Sequence, residues 1–252
     1  MTIGREHECS GDHGATERMR YDLPTHWMRG RRSMPLVNHD LYVEAAIAQC
    51  EACDGRRVIE VGCGDGWNCD LLSKRGFDVV GTDFNEQAID WARRMAPGIP
   101  FFCGDLTDGR FVSEHPQPFD IVLAVEVIEH IPPEDCPAAI ETMRSLVRDG
   151  GQLVVTVPSI NLPKDNPEHH RHFTRDLLAS VLEDGGHWRI EWLGGCGDID
   201  YYRRFGRWRR WFDNRWVHLR AVESLLFRRY LRTRMSTPES KSMNVVARAV
   251  AV

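Results

Sequence analysis

Between Arg56 and Pro158 the chain carries five short apolar runs with three amphipathic segments set among them. "RRVIEVG" is followed by "NCDLLSKRG", "FDVVGTD" by "NEQAIDWARRM", and "IPFFCGD" by "FDIVLAV"; then comes "CPAAIETMRSLVRDGG", then "QLVVTVP". Runs this uniformly apolar are buried on both faces, and helices at this spacing supply the cover, so the pattern predicts a parallel, doubly wound sheet. Such sheets bind ligands beyond the carboxyl ends of their strands. The later runs "HWRIEWLGG" and "SMNVVARAV" bring the expected strands to seven, the last as an antiparallel partner. A chain of 252 residues suits one such domain. Residues 1–20 read as a flexible tail and 21–252 as the domain, with 196–240 as an insertion before the last strand.

Composition narrows the setting. The charged fraction of 27% and hydrophobic fraction of 42% are ordinary for a soluble protein, and no apolar run is long enough to span a bilayer. The first twenty residues lack the apolar centre of a secretory signal, so a cytoplasmic location is expected. The eight cysteines are scattered, and the single "CEAC" has no second half to complete a zinc site. The net charge of −5 conceals a segregation. Eleven arginines stand against Asp213 and Glu223 between Tyr201 and Arg234, a local +9 that leaves −14 for the rest. The acidic remainder argues against broad nucleic-acid binding. Trp208, Trp211, Phe212, Arg215, Trp216 and Leu219 recur at helical spacing in this segment, which fits a cap helix, an anionic-acceptor site or an RNA or membrane contact.

The chemistry-bearing residues sit at the strand ends. "EVGCGDG" puts Gly62, Gly64 and Gly66 between a strand and a helix, where the main chain must turn sharply and admit a ligand. The spacing lacks the third glycine of G-x-G-x-x-G. Asp83 closes the second strand, placed to accept both hydroxyls of an adenosine ribose. After "FDIVLAV", the stretch "EVIEH" sets Glu126, Glu129 and His130 at i, i+3 and i+4, one face if the segment is helical.

The series "VIEVGCGDG", "VVGTDFN", "FFCGDL", "FDIVLAVEVIEHI" and "LVRDGGQLVVTVPS" resembles class I S-adenosylmethionine-dependent methyltransferases over residues 56–160. The resemblance implies a Rossmann-like methyltransferase fold and S-adenosylmethionine as cofactor. It implies that Gly62, Gly64 and Gly66 face the methionine part, Asp83 with Phe84 the ribose, and Asp105 with Leu106 the adenine; Glu60 supports the glycine loop, and Glu126 borders the cofactor. His130, Glu126 and Glu129, with His169, His170 and His172 of "NPEHHRHFT", are the expected acceptor-facing residues. "E-x-x-E-H" also resembles ubiquinone-pathway O-methyltransferases and small-RNA 2′-O-methyltransferases, the latter holding a divalent cation such as Mg²⁺ with two glutamates and two histidines. No residue is assigned here as a metal ligand. The expected function is O-methylation of a small biosynthetic metabolite, a sugar or natural-product intermediate, anionic if the arginines recognise it. A metal-assisted RNA ribose methyltransferase and a non-catalytic cofactor-binding scaffold are the alternatives.

Overall fold

Two short helices precede the sheet in the computed structural model, which describes residues 21–29, 37–108, 118–164, 166–201, 203–204, 225, 228–230 and 233–252. They are α1 (Thr25–Arg29) and α2 (Val37–Glu51). The alternating part follows as β1 (Arg57–Val61), α3 (Trp67–Ser73), β2 (Asp78–Asp83), α4 (Glu86–Met95), β3 (Phe101–Cys103) and β4 (Phe119–Val125). A 3₁₀ turn (Ile128–His130), α5 (Cys136–Leu146), β5 (Val147–Pro158), α6 (Arg175–Glu183), β6 (Trp188–Cys196) and β7 (Asn244–Ala251) complete the order.

Seven strands form one sheet in the order β3-β2-β1-β4-β5-β7-β6, parallel except for β7, which runs antiparallel to both neighbours. The fold class read from the sequence is therefore the one observed. Central strands are apolar throughout because both faces are covered: in β4 all but Asp120 are buried. Asp120 lies at the far end from the cavity, where Oδ2 accepts the Arg56 and Arg57 N–H groups at 3.0 Å and Oδ1 the Arg148 Nε–H at 2.8 Å. One core face gathers Ile59, Val122, Ile140, Met143, Leu153 and Phe173, the other Ile47, Val58, Leu72, Ile89, Ile121 and Val154.

Local signals set the helix starts. Asn85 caps α4, its Oδ1 accepting the Ala88 N–H at 3.1 Å, and Thr174 caps α6, its Oγ1 accepting the Leu177 N–H at 3.1 Å. Two expectations are corrected. The helix expected to run on to "RDGG" stops at Leu146, because Val147 already pairs with Phe119 of β4 and is buried. The stretch "EVIEH" is not an α-helical face: Glu126 takes φ +55°, and only Ile128–His130 are helical, as a 3₁₀ turn. The tail 1–20 and most of the Arg/Trp-rich segment lie outside the described residues. Of that segment's described part, Tyr230 is buried, stacks on Tyr201 at 4.8 Å and accepts the Asp198 N–H at 3.1 Å.

Candidate active site

Strand order reverses between β1 and β4, and a cavity of about 550 Å³ opens there beyond the strand ends. Gly62, Gly64, Asp83, Phe84, Asp105, Leu106, Glu126, His130 and His170 of the expected residues line it. Glu60, Gly66, Glu129, His169 and His172 do not.

The glycine loop is held from below and crowded from above. Gly62 and Gly64 adopt φ of +70° and +54°, and a Cβ on Gly64 would lie 2.7 Å from the Tyr21 hydroxyl. Asp83 Oδ2 accepts the Gly64 N–H at 2.8 Å and its Oδ1 the Asn85 N–H at 2.9 Å, so the acid that ends β2 also shapes the loop. Gly66 serves packing: a Cβ there would meet Ala92 Cβ and Phe101 Cζ at 2.9 Å. Glu60 is fully buried beneath the loop, accepting from Asn68 Nδ2 and Cys69 Sγ at 2.9 Å each, and burial pushes its carboxyl up to about 7. Asp105 Oδ1 accepts the Thr107 N–H at 2.8 Å and the Thr107 hydroxyl at 2.7 Å, closing a local turn at the cavity rim.

Beyond β4, the left-handed backbone of Glu126 separates it from its neighbours in sequence. Its Oε1 accepts from Thr156 Oγ1 and Asn244 Nδ2 at 3.0 Å each, while burial raises its carboxyl to about 7 against these two donors. Glu129 turns the other way and is fully buried. The loop after β5 returns to it: the His170 N–H donates to the Glu129 carbonyl at 2.9 Å, and Phe173 bridges Ser159. This brings His169 edge-on to His130, ring centroids 4.8 Å apart, and within 3.1 Å of His172 through Nδ1 and Nε2. Burial holds His172 below the ordinary imidazole range. Glu129, His130 and His169 thus present three ligand atoms within 4.8 Å of one another.

Residues not anticipated from sequence complete the cavity: Tyr21, His26, His39 and Tyr42 from the amino-terminal helices, and Asp65, Trp67, Asn68 and Thr82 around the glycine loop. Asn68 and Thr82 line it too, and their Oδ1 and Oγ1 are buried with no hydrogen-bond partner among the described residues. Five carboxylates line the cavity, Asp65, Asp83, Asp105, Glu126 and Asp135, but among the described residues no lysine or arginine does.

Fold and cavity define a doubly wound α/β protein with its pocket at the switch point of the sheet. The family described as "Methyltransferase domain" matches residues 38–227, and the chain belongs to it, as a class I S-adenosylmethionine-dependent methyltransferase. It is 34% identical over 153 residues to the ubiquinone biosynthesis O-methyltransferase of Coxiella burnetii, and 28% identical over 151 residues to that of Aeromonas salmonicida. Each match covers 52% of this chain and 63% of the relative, so the chain spans less than two thirds of these relatives' length. The TehB-like SAM-dependent methyltransferase from Corynebacterium glutamicum has the same fold at 18% identity, with a TM-score of 0.59 over 95% of this chain and 100% of that one. Magnesium protoporphyrin IX methyltransferase from Synechocystis, solved with bound SAH, gives 18% identity and 0.54 over 86% and 84%. No helix among the described residues is long and apolar enough to cross a membrane.

Proposed function

We propose that this chain transfers a methyl group from S-adenosylmethionine to a hydroxyl of a small biosynthetic metabolite. The observation that carries this reading is that Glu126 and His130 line the same cavity as Asp83 and Asp105, so the acceptor-facing and cofactor-facing residues share one space. Two curated relatives named as O-methyltransferases support the choice of hydroxyl.

The chain's residues fit the cofactor. In this reading the loop 62–64 receives its methionine part, Asp83 the ribose through the lone pairs left by its hydrogen bonds to the Gly64 and Asn85 N–H groups, and Asp105 with Leu106 the adenine. The acidic lining suits a ligand of net positive charge. Bound there, S-adenosylmethionine supplies a methyl group on a sulfonium, an electrophile open to in-line attack. What remains for the protein is alignment and proton removal. His130 accepts the acceptor's proton at an imidazole nitrogen, and Glu126, fixed by Thr156 and Asn244, orients the acceptor beside it.

The clustering of Glu129, His130 and His169 favours a second reading, in which a divalent ion polarises the acceptor hydroxyl. Two imidazoles and one carboxylate match Mn²⁺ or Zn²⁺ better than Mg²⁺, which prefers oxygen ligands. The test is S-adenosylhomocysteine production from pools of hydroxylated small molecules, amines and RNA. Turnover confined to hydroxylated small molecules is expected; turnover with RNA alone, or with none of the pools, would overturn the proposal.

A further inference from the structure

Among the described residues Glu126 alone, glycines apart, has a left-handed backbone, at φ +55°, and it stands in the cavity wall. A residue with a side chain holds that conformation at a cost, and only where its surroundings fix it. The fixing residues are on the next strands of the sheet. Thr156 of β5 and Asn244 of β7, both fully buried, send their donors to a single oxygen: Oγ1 and Nδ2 each lie 3.0 Å from Oε1. The Thr156 carbonyl also accepts the Glu126 N–H at 2.9 Å, so one residue holds both main chain and side chain. Asp83, by contrast, takes one N–H on each oxygen. In Glu126 Oε2 takes no hydrogen bond from a described residue and is the oxygen left to the cavity.

Two donors on Oε1 use both of its lone pairs, so a proton on this carboxyl sits on Oε2. The Asn244 amide N–H can only donate, which makes the arrangement one-way. Both partners are neutral, and burial raises the carboxyl against them, to about 7. From β6 the titratable group facing Glu126 is Cys196, whose buried thiol is itself pushed above its ordinary range; β5 and β7 present Thr156 and Asn244, neither of which titrates. His130 and Asp83 share the cavity.

We infer that Glu126 works as a neutral acid, donating a hydrogen bond from Oε2 to a lone-pair oxygen of the acceptor, a carbonyl or ether near the hydroxyl that is methylated. The inference rests on the methylation reading above. It separates the tasks of the two glutamates after β4, since Glu129 lies with His130 and His169 whereas Glu126 is committed to β5 and β7. The donor is present below about pH 7 and is lost as the carboxyl ionises above it. A sulfonium in the cavity favours the anion and an acceptor oxygen at Oε2 favours the acid, so both the resting chain and turnover must be measured.

Infrared difference spectra of the full chain, unaltered against Glu126→Gln, read the state of the group. At about pH 6 the substitution should remove the C=O band of a protonated carboxyl, and in the unaltered chain that band should fade through about pH 7. Glu60, also raised, is present in both proteins and cancels. Asn244→Ala, which takes one donor from Oε1, should raise the midpoint by roughly half to one pH unit. Loss of a carboxylate band at about pH 6 would overturn the inference.

Turnover is read as S-adenosylhomocysteine formed from two sets of hydroxylated small molecules: simple alcohols and phenols, and hydroxy-carbonyl and hydroxy-ether compounds. Product should come from the second set. It should fall about threefold in Glu126→Gln, whose amide keeps an N–H donor at that position, and about thirtyfold in Glu126→Leu. Equal losses in the two variants, or turnover confined to the first set, would also overturn the inference. If the unaltered chain turns over neither set, the methylation reading falls, while the infrared result still decides the state of Glu126.

Discussion

Asp83 Oδ2 accepts the Gly64 N–H at 2.8 Å, so the cofactor's expected ribose anchor and the loop that receives its methionine are joined by a single bond. Replacing Asp83 removes both functions. Asp83→Ala should weaken S-adenosylmethionine by about 2–4 kcal/mol and lower folding stability by about 1–3 kcal/mol, since two backbone N–H groups lose their acceptor. Calorimetry and urea unfolding read the two losses separately, and unchanged cofactor affinity would remove Asp83 from the site.

Gly66 makes a contrasting case. Its φ of +78° and the 2.9 Å approach of a Cβ to both Ala92 and Phe101 mean that Gly66→Ala must shift α4 or the Phe101 ring. A stability loss of about 1–3 kcal/mol is expected. Thermal unfolding should show it, with cofactor affinity reduced only as far as the loop moves.

Stability should also record the buried acid beneath the loop. Burial raises Glu60 from 4.5 to about 7. Below 4.5 folded and unfolded chains both hold the proton; between 4.5 and about 7 the unfolded chain releases it first, so stability falls with rising pH and levels off once the folded carboxyl ionises. Glu60→Gln removes that decline. It should gain on the order of 3 kcal/mol relative to the unaltered chain between about pH 5 and about pH 8, read by urea unfolding across the range. A pH profile parallel to that of the unaltered chain would show Glu60 ionised in the fold throughout.

The cluster after β4 separates two chemistries. If His130 takes the acceptor's proton, His130→Ala should lower kcat by about 10² to 10⁴ and chelators should have no effect. Loss of turnover on chelation, restored by Mn²⁺ or Zn²⁺ and absent in His130→Ala, would establish the ion-assisted reading. Full activity in His130→Ala would reject both.

The fold was legible because its signals are local. Alternating apolar runs and amphipathic helices fix β1 to β5, and a glycine or acid at a strand end marks a site without long-range information. What sequence could not show depends on distant meetings. Asp65 looks like filler between two glycines until His26, thirty-nine residues earlier, closes on it. The cavity's amino-terminal wall, with Tyr21, His26 and His39, carries no motif in the sequence. Glu126 would share a face with Glu129 and His130 if the segment were helical, whereas a single left-handed residue sends it to Thr156 and Asn244 instead. Trp67, which belongs to none of the motifs, lines the cavity as well.

The position of β7 bears on how the chain acquires its activity. Among the described residues β6 pairs only with β7, and β7 enters the sheet between β5 and β6 from about fifty residues further along. Half of the sheet's edge therefore waits for residues 244–251, and closing that loop is a non-local, slow event. Asn244, which opens β7, also supplies one of the two donors that set Glu126. A nascent chain can therefore assemble the cofactor cradle from β1 to β4 well before its acceptor side is in order. Competence to bind should precede competence to transfer.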